Sequence, residues 1–141
     1  MAGTPRQAGP VGLIVATHGG LAESLVKTTE IILARKTALQ PFTFKDGEPP
    51  KASFKRLEAL VRRADRGAGV VILADLFGGT PGSMALSMLE GASVEVVTGV
   101  NLPMAITAAS LQPGVDLAGA SAAIARAGKD GIKQGGEILG A

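Results

Sequence analysis

Apolar and polar positions alternate along this chain in blocks of two kinds. Continuous apolar runs stand at Val11–Ala16 and Ala68–Ala74. Runs of this kind suit parallel strands covered on both faces. Shorter runs at Leu39–Phe44 and Ser93–Val97 predict two further strands. Between them the spacing becomes helical. Leu21, Leu25, Val26, Thr29, Ile32 and Leu33 fall on one face, and Phe54, Leu57, Leu60, Val61 and Ala64 on another. Thr80 before Pro81 predicts the start of a helix running to about Leu89. Asn101-Leu102-Pro103 opens a fourth helix, and the Ala-rich stretch from about Asp116 to Ala127 is a fifth.

This strand and helix alternation predicts an α/β fold. We expect a doubly wound, mostly parallel sheet of about four strands with helices on both faces. The tail from Gly131 to Leu139 has room for a short C-terminal antiparallel strand or hairpin. Residues 1–10 are rich in Gly and Pro and read as a loose N-terminal tail, with one domain over 11–141. Lys45-Asp46-Gly47-Glu48-Pro49-Pro50 reads as a turn and loop.

Composition narrows the chemistry. The chain has 141 residues, no Cys, one His and four Phe as its only aromatics besides that His. Absence of Cys removes disulfides, thiolate catalysis and Cys-based zinc sites, and a single His makes a tight transition-metal site a poor expectation. No cofactor is expected. The net charge of +2 is small and the basic residues are spread out, with no aromatic-interleaved stripe for nucleic acid. No apolar run approaches the roughly 20 residues of a membrane span. Arg6 before Val11–Ala16 is a weak likeness to a signal peptide, but the run is short and lacks a small-x-small cleavage site. The expectation is a cytoplasmic protein.

The single imidazole, His18, follows the first strand and precedes Gly19-Gly20 and a helix. In open α/β sheets the carboxyl ends of strands and the following helix N-termini are where sites form. The second apolar run ends at Asp75, followed by Leu76-Phe77-Gly78-Gly79-Thr80-Pro81. In a right-handed doubly wound sheet these two strands are neighbours, so both turns open on one edge. Asp75 can then accept a hydrogen bond from one ring nitrogen of His18 and leave the other as a nucleophile. Gly78, Gly79 and the helix start at Thr80 would offer backbone N–H groups to a dianion, with Gly19 and the Thr17 and Thr80 hydroxyls nearby. These parts suit phosphoryl transfer on and off His18.

Other readings fit the same residues. A lone His at a strand end is also compatible with a structural role, and an Asp after a strand with a turn cap; spacing alone leaves these open. A P-loop and a dinucleotide fingerprint are missing. A Ser-His-Asp hydrolase drawn from Ser83, His18 and Asp75 places Ser83 inside a helix, away from a nucleophile elbow.

Three segments in order carry a resemblance: the strand with Thr17-His18-Gly19, the Asp75-to-Pro81 segment, and Thr98-Gly99-Val100-Asn101-Leu102-Pro103-Met104. From about Val11 to Ile132 the chain resembles the EIIA component of the mannose/fructose/sorbose family of the bacterial phosphoenolpyruvate-dependent sugar phosphotransferase system. The resemblance implies that His18 is phosphorylated by the histidine-containing phosphocarrier protein and passes the group to an EIIB partner. It implies that Asp75 bonds the active histidine and that Thr80 meets the phosphate. It places Asn101, Pro103 and Met104 at the docking surface, and it implies a homodimer, often with an exchanged C-terminal strand. Gly20 stands where some relatives carry a bulkier residue. No EIIB domain follows in the sequence, so a separate EIIB is expected. The alternative is a regulatory module whose phosphorylation state switches a partner.

Overall fold

The computed structural model describes residues 9–76, 83 and 93–140. In chain order these form β1 (Gly12–His18), α1 (Leu21–Leu33), β2 (Gln40–Phe44), α2 (Pro50–Ala64), β3 (Val70–Ala74), β4 (Val94–Thr98), α3 (Leu102–Ala109), α4 (Leu117–Asp130) and α5 (Gly135–Ile138). The strands pair in the order β2-β1-β3-β4, all parallel. Parallel pairing brings the carboxyl ends of all four strands to one edge.

The continuous apolar runs are explained by two-sided burial. Leu13, Val15, Val71 and Leu73 join one core with α1, α3 and α4, through Leu25, Met104, Ala105 and Ile124. The alternate residues Ile14, Ala16, Val70 and Ile72 pack on the opposite face against Leu57, Leu60 and Val61 of α2. A period of two thus sorts one strand into two cores. The approach of α2 is close: a Cβ at Gly12 would lie 2.5 Å from the Ala64 carbonyl oxygen. This leaves no room for a side chain where β1 begins.

The α/β expectation, with a parallel sheet and helices on both faces, is met. β1 runs two residues past its apolar stretch, because Thr17 and His18 continue the pairing with Thr43 and Phe44. β3 starts later than its apolar run: Gly69 has φ +83°, which breaks the extended backbone. The C-terminal strand is not what forms. Residues Gly135–Ile138 make a short helix, in which the Glu137 and Ile138 N–H groups donate to the Gln134 carbonyl at 3.0 and 3.3 Å. This tail is exposed, so its backbone groups close on one another locally. The helix expected from Pro81 to Leu89, apart from Ser83, and residues 1–8 of the tail expected at 1–10 lie outside the described residues; of that tail, Gly9 donates its N–H to the Arg66 carbonyl at 2.9 Å. Among the described residues no helix is long and apolar enough to cross a membrane.

Candidate active site

Neighbouring positions of β1 and β3 build the site. Ala16 pairs with Ala74, so the residues just beyond this pair emerge side by side at the carboxyl edge. There the Asp75 carboxylate holds His18 twice. Its Oδ2 accepts the His18 backbone N–H at 3.0 Å and lies 2.9 Å from the ring Nδ1. Its Oδ1 accepts the Leu76 N–H at 3.0 Å. The Asp75 side chain is 12% exposed, against 50% for His18. Burial pushes the Asp75 carboxyl up, but the hydrogen bonds from the His18 backbone and ring, the charge of that ring and the Leu76 N–H outweigh it. The net effect holds Asp75 below the ordinary carboxylate range, so it is an ionised acceptor. Nδ1 must therefore carry the hydrogen it donates. The lone pair of the neutral ring sits on Nε2.

Gly19 follows with φ +55° and open space around it, turning the chain sharply into α1. His18 and Gly19 line a pocket of about 470 Å³ together with Phe44, Lys45, Asp46 and Glu48. A larger groove of about 610 Å³ runs along β4 and α4 and does not include His18.

Several expected site residues have other duties. The Thr17 hydroxyl is fully buried; it accepts the Ala22 N–H at 2.7 Å and donates to the His18 carbonyl at 3.2 Å. It fastens α1 to β1 and has no free face for phosphate. Met104 is 2% exposed and belongs to the core, so it cannot form a docking surface. Asn101 caps α3: Oδ1 accepts the Met104 N–H at 3.1 Å, and Nδ2 donates to the Gly128 carbonyl at 3.1 Å. Pro103 sits so close to Gly131 that a Cβ there would lie 2.5 Å from it. All three serve the joint between α3 and α4. Gly78, Gly79 and Thr80 lie outside the described residues. Ser83, the rival nucleophile, is exposed and helical.

The turn expected at 45–50 forms after β2, but its place beside His18 and the contacts that fix it were not foreseen. There Arg56 donates from Nε and Nη2 to the two carboxylate oxygens of Glu48 at 2.8 and 2.7 Å. Nη2 also donates to the Thr43 carbonyl at 2.9 Å, and the guanidinium lies 4.5 Å from the Phe42 ring centroid. Hydrogen bonding from Arg56 holds the Glu48 carboxyl well below its usual range, at about 2. The available clue was topological: in a parallel sheet the end of β2 must reach the same edge as His18.

The fold and site define a class: a parallel α/β protein that presents a carboxylate-oriented histidine at the carboxyl edge of its sheet. Residues 12–125 match the family described as the PTS system fructose IIA component, and the chain belongs to that family. It is 31% identical over 97 residues to the PTS system mannose-specific EIIAB component of Escherichia coli K12, a match covering 68% of this chain and 30% of that protein. The chain thus matches less than a third of that relative's length. The fructose-specific EIIA component of Bacillus subtilis is 26% identical over 103 residues, covering 72% of this chain and 70% of its own. Among solved structures, the mannose/sorbose-specific IIA subunit of Enterococcus faecalis superposes with a TM-score of 0.73 at 30% identity, over 88% of this chain and 93% of its own. The IIA protein associated with the fucose utilization operon of Streptococcus pneumoniae gives 0.81 at 26% identity, over 94% and 98%.

Proposed function

We propose that this chain is a cytoplasmic phosphocarrier of phosphoenolpyruvate-dependent sugar uptake. His18 takes a phosphoryl group from the histidine-containing phosphocarrier protein and passes it to an EIIB partner. The observation that carries this reading is the 2.9 Å contact between His18 Nδ1 and the ionised Asp75, which leaves Nε2 as the nucleophile.

In the forward step the Nε2 lone pair forms a bond to phosphorus. The donor's nitrogen–phosphorus bond breaks and its electron pair returns to the donor ring. Nδ1 keeps its hydrogen throughout, so the phosphorylated ring of His18 is cationic and Asp75 balances it. The second transfer reverses these roles toward the acceptor. Positioning and charge stabilisation supply the rate. Gly78, Gly79 and Thr80 are assigned to the phosphoryl oxygens, and Gly19 to the open turn that admits the donor. A homodimer is part of the reading: β4 has a partner on only one side among the described residues, and the other side can receive a strand from a second copy.

The test is phosphotransfer with phosphoenolpyruvate, enzyme I and the phosphocarrier protein, read by intact mass and the modified residue. One acid-labile phosphoryl group on His18, absent from a folded His18→Ala variant, is the expected result. An unmodified wild type beside active donors overturns the proposal.

A further inference from the structure

The Asp75 carboxylate anchors His18 from the β3 side, and the opposite wall of the pocket belongs to the turn after β2. β1 lies between β2 and β3. Because Nδ1 is held by Asp75, Nε2 is the ring nitrogen turned away from that carboxylate. His18 and Phe44 are Cα partners, about 5 Å apart as paired strands are, so Lys45 directly follows the residue beside the reacting ring.

This turn is fixed. The Glu48 N–H donates to the Lys45 carbonyl at 3.1 Å, Gly47 takes φ +76°, and the Glu48–Arg56 clamp fastens the turn to α2 and β2. The clamp also spends the Glu48 charge on Arg56. Lys45 is the only cation among the described residues lining the His18 pocket, and it is exposed with no ion pair among the described residues. The other charges of the pocket lining are the exposed Asp46 beside Lys45 and Glu48, which is paired with Arg56; Asp75, just past β3, lies behind the ring and balances it. Glu23, in the first turn of α1, shares the adjoining groove with Lys45.

We propose that Lys45 is a phosphate-stabilising residue, whose ammonium neutralises the phosphoryl dianion carried by His18 Nε2. This rests on the phosphocarrier reading and adds a residue to it. Asp75 compensates the cationic ring, while Lys45 compensates the dianion attached to it. A single ammonium on a four-carbon stem acts here as a point charge and needs no fork geometry.

Phosphoramidate, a donor that requires no protein partner, is used to phosphorylate the whole chain, and ³¹P NMR follows the second ionisation of the phosphoryl group. Lys45→Gln is expected to raise the midpoint by about half a pH unit, as for a unit charge about 5 Å away in a water-like medium. Lys45→Arg restores it, and the difference shrinks at about 1 M salt, which a change of shape alone would not do. A phosphorylated Lys45→Gln with the wild-type midpoint overturns the role of Lys45 and leaves the phosphocarrier reading standing. No phosphate on His18 of the wild type, with free histidine phosphorylated in the same reagent, overturns both.

Discussion

Asp75→Asn is the most informative single substitution, because it keeps the shape of the carboxylate and changes its charge and acceptor count. Three N–H groups face Asp75: the His18 backbone and ring at Oδ2, and the Leu76 backbone at Oδ1. An amide has one oxygen. If that oxygen serves the His18 pair, the NH₂ faces the Leu76 N–H; if it turns to Leu76, the ring loses its acceptor. The charge lost can be bounded. A cationic ring and a carboxylate about 4 Å apart attract by ~1 kcal/mol in water and ~4 kcal/mol at an effective dielectric near 20. Asp75 is 12% exposed and the ring 50%, so the pair lies between these limits. A charge-assisted hydrogen bond at 1.5–3 kcal/mol, roughly, agrees. We take about 2 kcal/mol, which is a loss of about 30-fold in the transfer rate. Rapid-quench phosphotransfer from the phosphorylated carrier protein measures the rate, and ¹⁵N shifts of the ring report the tautomer. Asp75→Ala should be at least as slow. An Asp75→Asn variant within two-fold of wild type, roughly, would show that Asp75 neither fixes the tautomer nor balances the charge, and the derivation of Nε2 as nucleophile would fall.

Other expectations separate structural from chemical roles. Thr17→Val leaves the buried Ala22 N–H without its 2.7 Å acceptor and should cost about 1–3 kcal/mol in denaturant unfolding, while Thr17→Ser keeps most of it. Leu57→Ala removes a fully buried side chain from the core under α2 and should cost about 2–5 kcal/mol by the same measurement. Glu48→Gln should lower the thermal midpoint. Because the folded Glu48 carboxyl sits at about 2, below its ordinary 4.5, its contribution is complete above 4.5 and is lost as the pH falls through about 2. Calorimetry across that window should show the variant and wild type converging at the acid end. Thr80→Ala should slow phosphotransfer less than Asp75→Ala does, as rates from the same quench experiment will show.

The strands and the His18–Asp75 edge were legible in the sequence because they depend on patterns that burial imposes. Two-sided burial leaves continuous apolar runs, and a parallel sheet then makes the strand ends converge. Met104 was misplaced because proximity in sequence to a motif says nothing about which way a side chain faces. The first turn of α3 aims Met104 at Gly128, where a Cβ would approach it to 2.7 Å. Thr17 was misplaced for a related reason. A hydroxyl beside a candidate nucleophile resembles a ligand, but in β1 the side chains alternate, and that of Thr17 is turned into the protein. The tail needs an edge strand for its backbone if it is to be a strand itself, and pairing of that kind is not encoded locally. The Arg56 clamp joins residues eight apart across a turn, which no strand or helix period reveals.

The gradient of burial across the site follows from what a carrier histidine must do. In the role proposed for His18 it would react in turn with groups on two other proteins, so its free nitrogen has to be reachable, and the ring cannot be fixed by packing on all sides. Its orientation must come from behind. Asp75 supplies this by accepting from the His18 backbone and ring through the same oxygen. The ring is thereby referenced to the backbone of its own strand, and β1 is locked between β2 and β3. The less exposed partner holds the charge that matters when the ring becomes cationic, and in a lower dielectric that charge is felt more strongly. Three donated hydrogen bonds offset the cost of burying it and keep it ionised. A more buried ring would be held as well but could not be visited. A more exposed carboxylate could be visited but would orient the ring weakly, since water would compete for both.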